Sequence, residues 1–443
     1  MPRTRFPPAA IPAYFPVGPL WLLLAAAVAL GLPGVASAWT GSNYELDLRP
    51  DFGQQTLHGK ARIELVAEAV PEDFIELLSP RLTLLDAAIG GAAVTPEKGK
   101  TGWRIPLTGE QKAATVLEID VSYRVGASSG LVFGDGFVYT AFHTCRWLPC
   151  AGSDLSRASA TFTLHLPDGA RSVASGERAA GAAGGHRWRL DPPAPLYTLG
   201  FAAGDFVEVA ESLGDRTLRY LGAGQSPDRL RTALRDTALM LTFLEGKAGI
   251  AMPGTGYTQV VVPGGVAQEA TGFSMLGARW LDPIFEDPTE DWIVIHEMAH
   301  LWWGNHITCA SWNELWLNEG LAVFMTAAWK QYRWGDAAYQ RELRLAREAR
   351  GRARQAGFDK PLRWSGEYPS LRVRRSIQYS KAFLFIAELR DELGEIAFWN
   401  GIRTYTQRHA GQTVRSEDFQ AAMESSVGRS LQALFDAWVY GLG

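Results

Sequence analysis

Cysteine is scarce in this chain, and the few cysteines lie in the wrong pattern for one large class of metal site. The 443 residues include three cysteines, Cys145, Cys150 and Cys309. Structural zinc sites are commonly built from Cys-x-x-Cys pairs, and the sequence contains no such pair. The sequence therefore argues against a zinc–cysteine site. The spacing of Cys145 and Cys150 fits either a small disulfide loop or two separate thiols, because spacing alone does not define the geometry of a bridge.

An excess of positive charge and long apolar runs are also lacking. The net charge of −4 argues against a nucleic-acid-binding protein, since such proteins are normally basic. The longest apolar run, "LWLLLAAAVALGL" at residues 20–32, has only 13 residues and is too short for a comfortable bilayer span. The sequence contains neither internal repeats nor low-complexity linkers. A chain of this length has room for two or three domains, each with its own core.

The N-terminus has the features of an export signal. Arg3 and Arg5 precede the apolar run, and the small residues Ala36 and Ala38 follow it. A positive segment, an apolar core and an Ala-x-Ala-like site are typical of a secretory signal peptide. We therefore predict a signal peptide at residues 1–38, cleavage after Ala38, and a periplasmic or extracellular protein. An uncleaved signal that anchors the chain is the alternative, and we expect membrane contact only in that case.

The periodicity of the remaining chain changes once, near residue 210. Between residues 39 and 209, segments such as "ARIELVAE" and "ATFTLHLP" alternate apolar and polar residues, which predicts an antiparallel β-sheet domain. From residue 210 the apolar spacing becomes helical, as in "PDRLRTALRDTALMLTFLEG", and helices dominate from about residue 290. The predicted fold class is α+β and multidomain, with a β domain at 39–209 and a mostly helical domain at 210–443.

A candidate metal site lies in "HEMAHLWWGNH", residues 296–306. His296 and His300 are four residues apart, so a helix places both imidazoles on one face, close enough to share one ion. Glu297 follows the first histidine, and its carboxylate can reach a metal-activated water without binding the metal. The identity of the third ligand decides which class of zinc enzyme this motif indicates.

Three residues compete for the position of the third ligand. On a helix that continues past Trp303, His306 lies about 240° around the axis from His300 and faces away from the ion. Trp303 also occupies the position where a glycine would let the helix end. Glu319, in "WNELWLNEGLAVF", can reach the ion from a second helix, and Glu314 fits less well. The residues alone give the order Glu319, then Glu314, then His306.

The stretch "HEMAHLWWGNHITCASWNELWLNEGLAVF" resembles the zinc signature of the aminopeptidase N family, gluzincin metallopeptidases that also include leukotriene hydrolase. Eighteen residues separate His300 from Glu319, as in that signature. The resemblance implies that His296, His300 and Glu319 bind one zinc ion and that Glu297 takes the proton of the attacking water. "QYSKAFLFIAELRDELG" resembles the family's Tyr-x-Lys-Gly segment, which implies that Tyr379 donates a hydrogen bond to the oxyanion.

The resemblance extends over nearly the whole chain after the signal. "YELDLRPDFGQQTLHGKARIEL" resembles the opening strands of the family's β domain, and "PLYTLGFAAGDFVEV" resembles the end of that domain. The resemblance implies a thermolysin-like catalytic domain at residues 210–443. "FDAWVYGLG" resembles the end of the catalytic domain, and we expect a short form without the C-terminal helical domain of the larger members.

Recognition of a free α-amine is implied for a loop that precedes the zinc motif. "GGVAQEATGFSM" is similar to the family's Gly-x-Met-Glu-Asn loop, which places Glu269 at the amine-binding position together with Gly265 and Gln268. Ala270 stands where asparagine is usual, and Thr140 stands near the position where the β domain usually supplies glutamine or glutamate. Amine recognition then rests on Glu269, whose carboxylate can pair with an ammonium group.

The sequence therefore predicts a zinc-dependent aminopeptidase that uses one Zn²⁺ ion and acts on peptides with a free N-terminus. Two alternatives stay open. One is a catalytically silent peptide-binding or scaffold protein on the same fold. The other is an endopeptidase with relaxed recognition of the N-terminus, because the usual loop asparagine and β-domain glutamine or glutamate are missing.

Overall fold

A computed structural model describes residues 38–68, 72–179 and 186–441 of the chain. The predicted signal peptide, apart from its last residue, lies outside these ranges. Within them, none of the helices combines the length and the apolar character that a bilayer crossing needs.

Strands make up most of the first half because apolar and polar residues alternate there, so that one face of each strand is buried. The strands are β1 (Trp39–Asp51), β2 (Thr56–Ala67), β3 (Phe74–Leu77), β4 (Thr83–Ile89), β5 (Ala92–Val94), β6 (Glu97–Lys98), β7 (Trp103–Pro106), β8 (Val116–Gly126), β9 (Leu131–Phe133), β10 (Phe137–Thr140), β11 (Arg157–Leu164), β12 (Arg171–Ala174), β13 (Glu177–Arg178), β14 (Arg187–Pro195), β15 (Phe201–Gly204), β16 (Val207–Leu213), β17 (Arg216–Gly222), β18 (Gly256–Val262), β19 (Ala267–Ala270), β20 (Phe273–Gly277), β21 (Thr308–Cys309) and β22 (Thr413–Val414).

Helices dominate the second half, where apolar residues recur at the helical period. The helices are α1 (Gly109–Lys112), α2 (Pro227–Ala233), α3 (Thr237–Ala248), α4 (Ala278–Glu286), α5 (Trp292–Ala299), α6 (Trp316–Trp334), α7 (Asp336–Gln355), α8 (Leu371–Arg375), α9 (Ala382–Leu393), α10 (Glu395–Arg408), α11 (Ser416–Val427) and α12 (Gln432–Phe435). π-helical turns lie at Ser376–Lys381 and Asp436–Tyr440, and 3-10 turns lie at Thr144–Arg146, Leu196–Thr198, Pro288–Glu290 and Trp312–Glu314.

The first half is built around an eight-stranded sheet with the order β13-β14-β11-β1-β2-β8-β4-β5. A four-stranded sheet, β12-β15-β10-β9, and a three-stranded sheet, β3-β7-β6, accompany it. The large sheet is not wholly antiparallel as predicted, because β1 and β11 run parallel. The chain passes through β2 to β10 before β11, and such a long connection allows the strand to return in the same direction.

A five-stranded sheet with the order β16-β17-β18-β20-β19 joins the two halves. Its strands alternate their side chains between two buried cores. Val260 and Val262 of β18 pack into the core of the first half, whereas Val261 between them packs into the core of the helical half. The boundary predicted after residue 209 falls within β16, and the division into two domains at that point stays a prediction.

The helix predicted in "PDRLRTALRDTALMLTFLEG" is interrupted. Helix α2 ends at Ala233 and α3 begins at Thr237. The hydroxyl of Thr237 donates a hydrogen bond of 2.9 Å to the side chain of Gln259 in β18. This buried bond fixes the start of α3 against the five-stranded sheet.

Candidate active site

Helix α5 is buried on all sides and carries the first predicted ligand, His296, while the second, His300, caps its C-terminal end. The four-residue spacing of His296 and His300 brings their Nε2 atoms to 3.3 Å from each other. The Nδ1 atom of His300 lies 2.9 Å from the carbonyl oxygen of Trp303. Because a carbonyl only accepts, Nδ1 donates this bond, and the lone pair of Nε2 is left to face a metal ion.

The helix ends at the motif, contrary to the prediction that it continues past Trp303. Helix α5 ends at Ala299, with His300 as its C-terminal capping residue. Gly304, with φ of 147°, supports the turn one residue later than the sequence argument assumed, because glycine tolerates positive φ. His306 follows this turn. Among the described residues, it does not belong to the groups of side chains whose ligand atoms lie close enough together to hold a metal ion. The reason given for rejecting His306 was therefore wrong, although His306 does lie apart from the cluster.

The third predicted ligand, Glu319, lies in the first turn of α6, where the positive end of the helix dipole favours a carboxylate. Gly320, the next residue, lets α6 approach α9 closely. A Cβ atom built on Gly320 would lie only 2.5 Å from the Cβ of Ala382. The competing candidate Glu314 points elsewhere, since its Oε1 accepts a hydrogen bond of 3.2 Å from the backbone nitrogen of Ser416.

The three donor atoms have the spacing that one zinc ion requires. The Oε2 atom of Glu319 lies 3.4 Å from Nε2 of His296 and 3.5 Å from Nε2 of His300. Atoms bound tetrahedrally to one zinc ion at about 2.1 Å are about 3.4 Å apart. This Oε2 atom is buried and receives no hydrogen bond from the described residues. Two imidazoles and one carboxylate in this arrangement fit zinc.

The two histidines and three glutamates form one group, which we call the metal-type cluster. It consists of the imidazoles of His296 and His300 and the carboxylates of Glu269, Glu297 and Glu319. Burial lowers the pKa of His296. Burial also acts to lower the pKa of His300, yet the carboxylates of Glu269 and Glu319 raise that pKa to about 10. Burial acts to raise the pKa of Glu319, yet the two histidines hold it well below its ordinary value. The raised pKa of His300 shows that the carboxylates favour a positive charge at this position, which a bound cation supplies.

Glu297 lies beside the donor set without belonging to it. One carboxylate oxygen of Glu297, one of Glu269 and a ring nitrogen of His300 lie within 4.8 Å of one another. The Oε2 atom of Glu297 is buried and has no hydrogen-bond donor among the described residues. Burial raises the pKa of Glu297 well above its ordinary value. The structure therefore offers a carboxylate with spare accepting capacity next to the metal-type cluster.

Tyr379 faces the same cluster from the π-helical turn Ser376–Lys381. Its ring stacks on the ring of His296, with centroids 6.3 Å apart and planes inclined by 11°. Burial and the nearby Glu319 carboxylate raise the pKa of Tyr379 well above 10. The hydroxyl therefore keeps its proton near neutral pH and can donate a hydrogen bond.

The three predicted amine-loop residues lie in different surroundings. Glu269, on strand β19, is half-buried and reaches the cluster. Gln268 instead faces the first half, where its side chain accepts a hydrogen bond from the backbone nitrogen of Phe142. Gly265 lies in the turn before β19, and its carbonyl accepts a bond of 2.8 Å from the indole of Trp280. The structure brings only Glu269 of these three to the metal-type cluster.

The two positions that depart from the family pattern are both engaged by neighbouring backbone. The hydroxyl of Thr140 accepts a bond of 2.9 Å from the nitrogen of Phe201 and donates one of 3.3 Å to its carbonyl. The carbonyl of Ala270 accepts a bond of 3.1 Å from the side chain of Asn305. Neither Thr140 nor Ala270 therefore supplies a second carboxylate or amide beside Glu269.

A disulfide closes a short loop just after the contact between Phe142 and Gln268. Cys145 and Cys150 are bonded, with Cα atoms 5.3 Å apart, which resolves the choice between a bridge and two thiols. Phe142 lies three residues before Cys145, so the bridged segment follows closely on the contact to the strand that carries Glu269.

Several residues at the site could not be recognised from the sequence because their roles depend on distant contacts. Tyr197 lies in the segment that marks the end of the β domain. Its hydroxyl oxygen is 3.3 Å from the side-chain nitrogen of Asn318. Arg157 of β11 donates bonds of 3.2 Å to the carbonyl of Asn305 and 3.1 Å to the hydroxyl of Thr308. The sequence gives one signal only, since Asn305 and Thr308 belong to the matched zinc signature.

The chain is similar to known metallopeptidases in sequence and in structure. Residues 286–438 match the sequence model described as the Peptidase family M1 domain. The chain is 24% identical over 449 residues to aminopeptidase N of Streptomyces lividans, covering 92% of this chain and 51% of that protein. It is 28% identical over 386 residues to aminopeptidase N of Caulobacter vibrioides, covering 80% of this chain and 44% of that protein. The chain thus spans about half the length of the curated relatives it matches.

Solved structures show the same fold over most of the chain. The M1 zinc metallopeptidase from Deinococcus radiodurans superposes with a TM-score of 0.75 at 22% identity, covering 92% of this chain and 94% of that one. Native yeast LTA4 hydrolase superposes with a TM-score of 0.75 at 19% identity, covering 91% of this chain and 68% of that one. The two-part architecture of this chain is therefore that of known metallopeptidases.

Proposed function

We propose that this chain, which belongs to the aminopeptidase N family of M1 metallopeptidases, is a zinc-dependent aminopeptidase that removes N-terminal residues from peptides. One observation carries the proposal: the donor atoms of His296, His300 and Glu319 are spaced for one zinc ion. The carboxylates of Glu297 and Glu269 lie beside that set, so the cluster combines groups for hydrolysis with a group for amine recognition.

The ligands proposed for zinc are His296, His300 and Glu319. When bound there, zinc lowers the pKa of a water molecule and polarises the scissile carbonyl. Glu297 accepts the proton of the attacking water and delivers it to the leaving amine, as a general base and then a general acid. Its unpaired Oε2 atom supports this role, because an accepting position is available within the cluster.

Tyr379 and Glu269 are proposed to act on the substrate. The Tyr379 hydroxyl, protonated near neutral pH, donates a hydrogen bond to the oxygen on which negative charge develops. Glu269 pairs with the free α-ammonium group and thereby fixes which peptide bond reaches the cluster. Because the side chain of Gln268 is directed toward Phe142, amine recognition relies on the single carboxylate of Glu269.

Export is part of the proposal. The positive residues, apolar run and small residues at positions 1–38 support a secretory signal, and with it a periplasmic or extracellular location. The Cys145–Cys150 disulfide is compatible with an oxidising compartment. Sequencing the N-terminus of the protein recovered from its native host tests the location: a mature chain that starts at Trp39 is expected.

The activity is tested with a panel of aminoacyl fluorogenic substrates, each supplied free and N-acetylated, with the purified full chain. We expect hydrolysis of the free substrates only, loss of activity with a chelator, and recovery on addition of zinc. Comparable rates on acetylated peptides would instead indicate an endopeptidase. Binding of peptides without hydrolysis by the zinc-loaded protein would indicate the silent binding protein.

The amine-recognition role is tested with Glu269→Gln. Loss of a charge-assisted bond should raise KM for free aminoacyl substrates by about tenfold or more, with zinc content unchanged. Glu211→Gln is the matched control, because Glu211 is half-buried and accepts one bond of 2.9 Å, from Tyr220. An unchanged KM in Glu269→Gln would refute this role.

A further inference from the structure

Tyr197 enters the metal-type cluster from the strand-rich half of the chain. It lies in the 3-10 turn Leu196–Thr198 that follows β14. Its backbone nitrogen donates a bond of 2.8 Å to the carbonyl of Asp154, and its own carbonyl accepts one of 3.2 Å from the hydroxyl of Thr144. Its ring packs edge-on against Trp312, with centroids 5.1 Å apart. The backbone of Tyr197 is therefore held by the first half of the molecule, while its ring packs against the second half.

The hydroxyl of Tyr197 contacts both segments that carry the proposed metal ligands. It donates a bond of 3.3 Å to the carbonyl of Gly304, one residue beyond Trp303, whose carbonyl holds His300. It accepts a bond of 3.3 Å from the side chain of Asn318, the residue immediately before Glu319. The hydroxyl oxygen of Tyr197 thus connects the turn that orients His300 to the helix segment that carries Glu319.

We propose that Tyr197 is a positioning residue that holds the His300 and Glu319 segments at the separation a bound zinc ion requires. The inference rests on the proposed zinc peptidase function. A hydroxyl has one proton to donate and can accept at its lone pairs, so it can serve both segments at once. Asn318 is buried, and its side-chain oxygen already accepts a bond of 3.1 Å from the nitrogen of Cys309, which leaves its amide nitrogen directed at Tyr197.

The hydroxyl of Tyr197 bonds Gly304 and Asn318 of the protein, and neither is a group that reacts. It also lies within hydrogen-bonding reach of the Glu269 carboxylate, but removing the hydroxyl leaves the charge of Glu269 in place for the substrate amine. Groups that orient metal ligands typically contribute about 10–100-fold to metal affinity or activity. We therefore expect Tyr197 to affect zinc retention and kcat, and to leave KM close to its wild-type value.

The test is Tyr197→Phe, which removes the oxygen and keeps the ring against Trp312. The rate at which the zinc-loaded protein loses metal to an excess of chelator should rise by about tenfold. The value of kcat on a free aminoacyl substrate should fall by about tenfold, with KM within about twofold of wild type. Tyr332→Phe is the control, because Tyr332 on α6 is 63% exposed and lies outside the cluster.

Asn318→Ala and the double variant Tyr197→Phe/Asn318→Ala complete a double-mutant cycle. Asn318→Ala also tests the same hydrogen bond if Tyr197→Phe folds poorly. If the two side chains act through their shared bond, the double variant should lose zinc no faster than the faster single variant. Wild-type zinc loss in both single variants would overturn the proposal. A raised KM with unchanged kcat and unchanged zinc loss would also overturn it, because the hydroxyl would then be contacting the substrate.

Failure of this inference is distinguishable from failure of the proposed function. Zinc loss is measured without a substrate, so it reports on Tyr197 even if the wild-type protein hydrolyses none of the aminoacyl panel. A wild-type enzyme that is active, paired with a Tyr197→Phe variant that retains zinc and activity, would refute only the role of Tyr197.

Discussion

Replacing Gly304 by alanine would place a methyl group against the imidazole that the preceding turn supports. A Cβ atom built on Gly304 would lie 2.8 Å from Nδ1 of His300 and 3.3 Å from its Cβ and Cγ. Nδ1 is the atom that donates to the carbonyl of Trp303. The backbone at this position has φ of 147°, a conformation that residues with side chains rarely adopt.

Both consequences can be given a magnitude. A side chain in this backbone region costs about 1–3 kcal/mol, and a contact of 2.8 Å forces either the His300 ring or the turn to move. Losing the orientation of a metal-binding histidine costs about 10–100-fold in metal affinity. Gly304→Ala should therefore unfold with about 1–3 kcal/mol less free energy and bind zinc at least about tenfold more weakly.

The chain offers a matched control of the opposite sign. Gly351 lies within α7, and a Cβ atom there would meet nothing within 4 Å. Glycine to alanine inside a helix stabilises by about 0.5–1 kcal/mol, so Gly351→Ala should be slightly more stable than wild type. The same chemical change is thus expected to have opposite effects on stability at the two positions.

Urea unfolding of the metal-free proteins measures the free energy of unfolding, and competition with a chromophoric chelator measures zinc affinity. Circular dichroism in the absence of urea confirms that each variant keeps its helices. The reasoning would be refuted by a Gly304→Ala protein whose unfolding free energy and zinc affinity both match those of wild type. The same outcome would also remove the argument that the turn after His300 orients this ligand.

Further predictions concern the charged groups in and near the cluster. Glu297→Gln should keep its zinc, measured by mass spectrometry, while kcat falls by about 100- to 10,000-fold. Structural zinc binding totals about 10–16 kcal/mol, so removing one of three ligands in Glu319→Gln should weaken zinc binding by about 3–5 kcal/mol, whereas Glu314→Gln, a buried neighbour, should not. Burial raises the pKa of Asp291 to about 6 from 3.8, so between about pH 4 and pH 6 the folded state binds more protons than the unfolded state, and stability falls as pH rises. Wild type should lose up to about 3 kcal/mol from this group between pH 4 and pH 7, and Asp291→Asn should lack that part of the decline in urea unfolding.

The position of Glu319 beside the two histidines was predictable because it depends on two short, local patterns. The helical spacing of His296 and His300 defines one side of the site, and an apolar helix containing Glu319 defines the other. The end of α5 was not predictable in the same way. The side chain at position 303 predicts a continuing helix, but the carbonyl of Trp303 accepts the hydrogen bond of His300, and Gly304 makes the turn one residue later. The hydrogen bond between His300 and the carbonyl of Trp303 can be recognised only in the folded structure, where the position of the imidazole is known.

Contacts between the two halves were beyond the reach of local patterns. Tyr197 and Asn318 are 121 residues apart in the chain, and no periodicity links them. Gln268 was grouped with Glu269 by the loop resemblance, yet adjacent residues of a strand face opposite sides, so their side chains are directed differently. Single-residue roles of this kind follow from tertiary packing, which the alternation of apolar residues does not specify.

The sharing of strand β18 between two cores bears on how the molecule loses its structure. Val260 and Val262 fill one core and Val261 fills the other, so neither core can open without disturbing the strand that both need. A chain cut after residue 209 would also sever β16 inside its pairing with β17. We therefore expect heat to melt both halves in a single calorimetric transition, and neither half expressed alone to be a stable monomer.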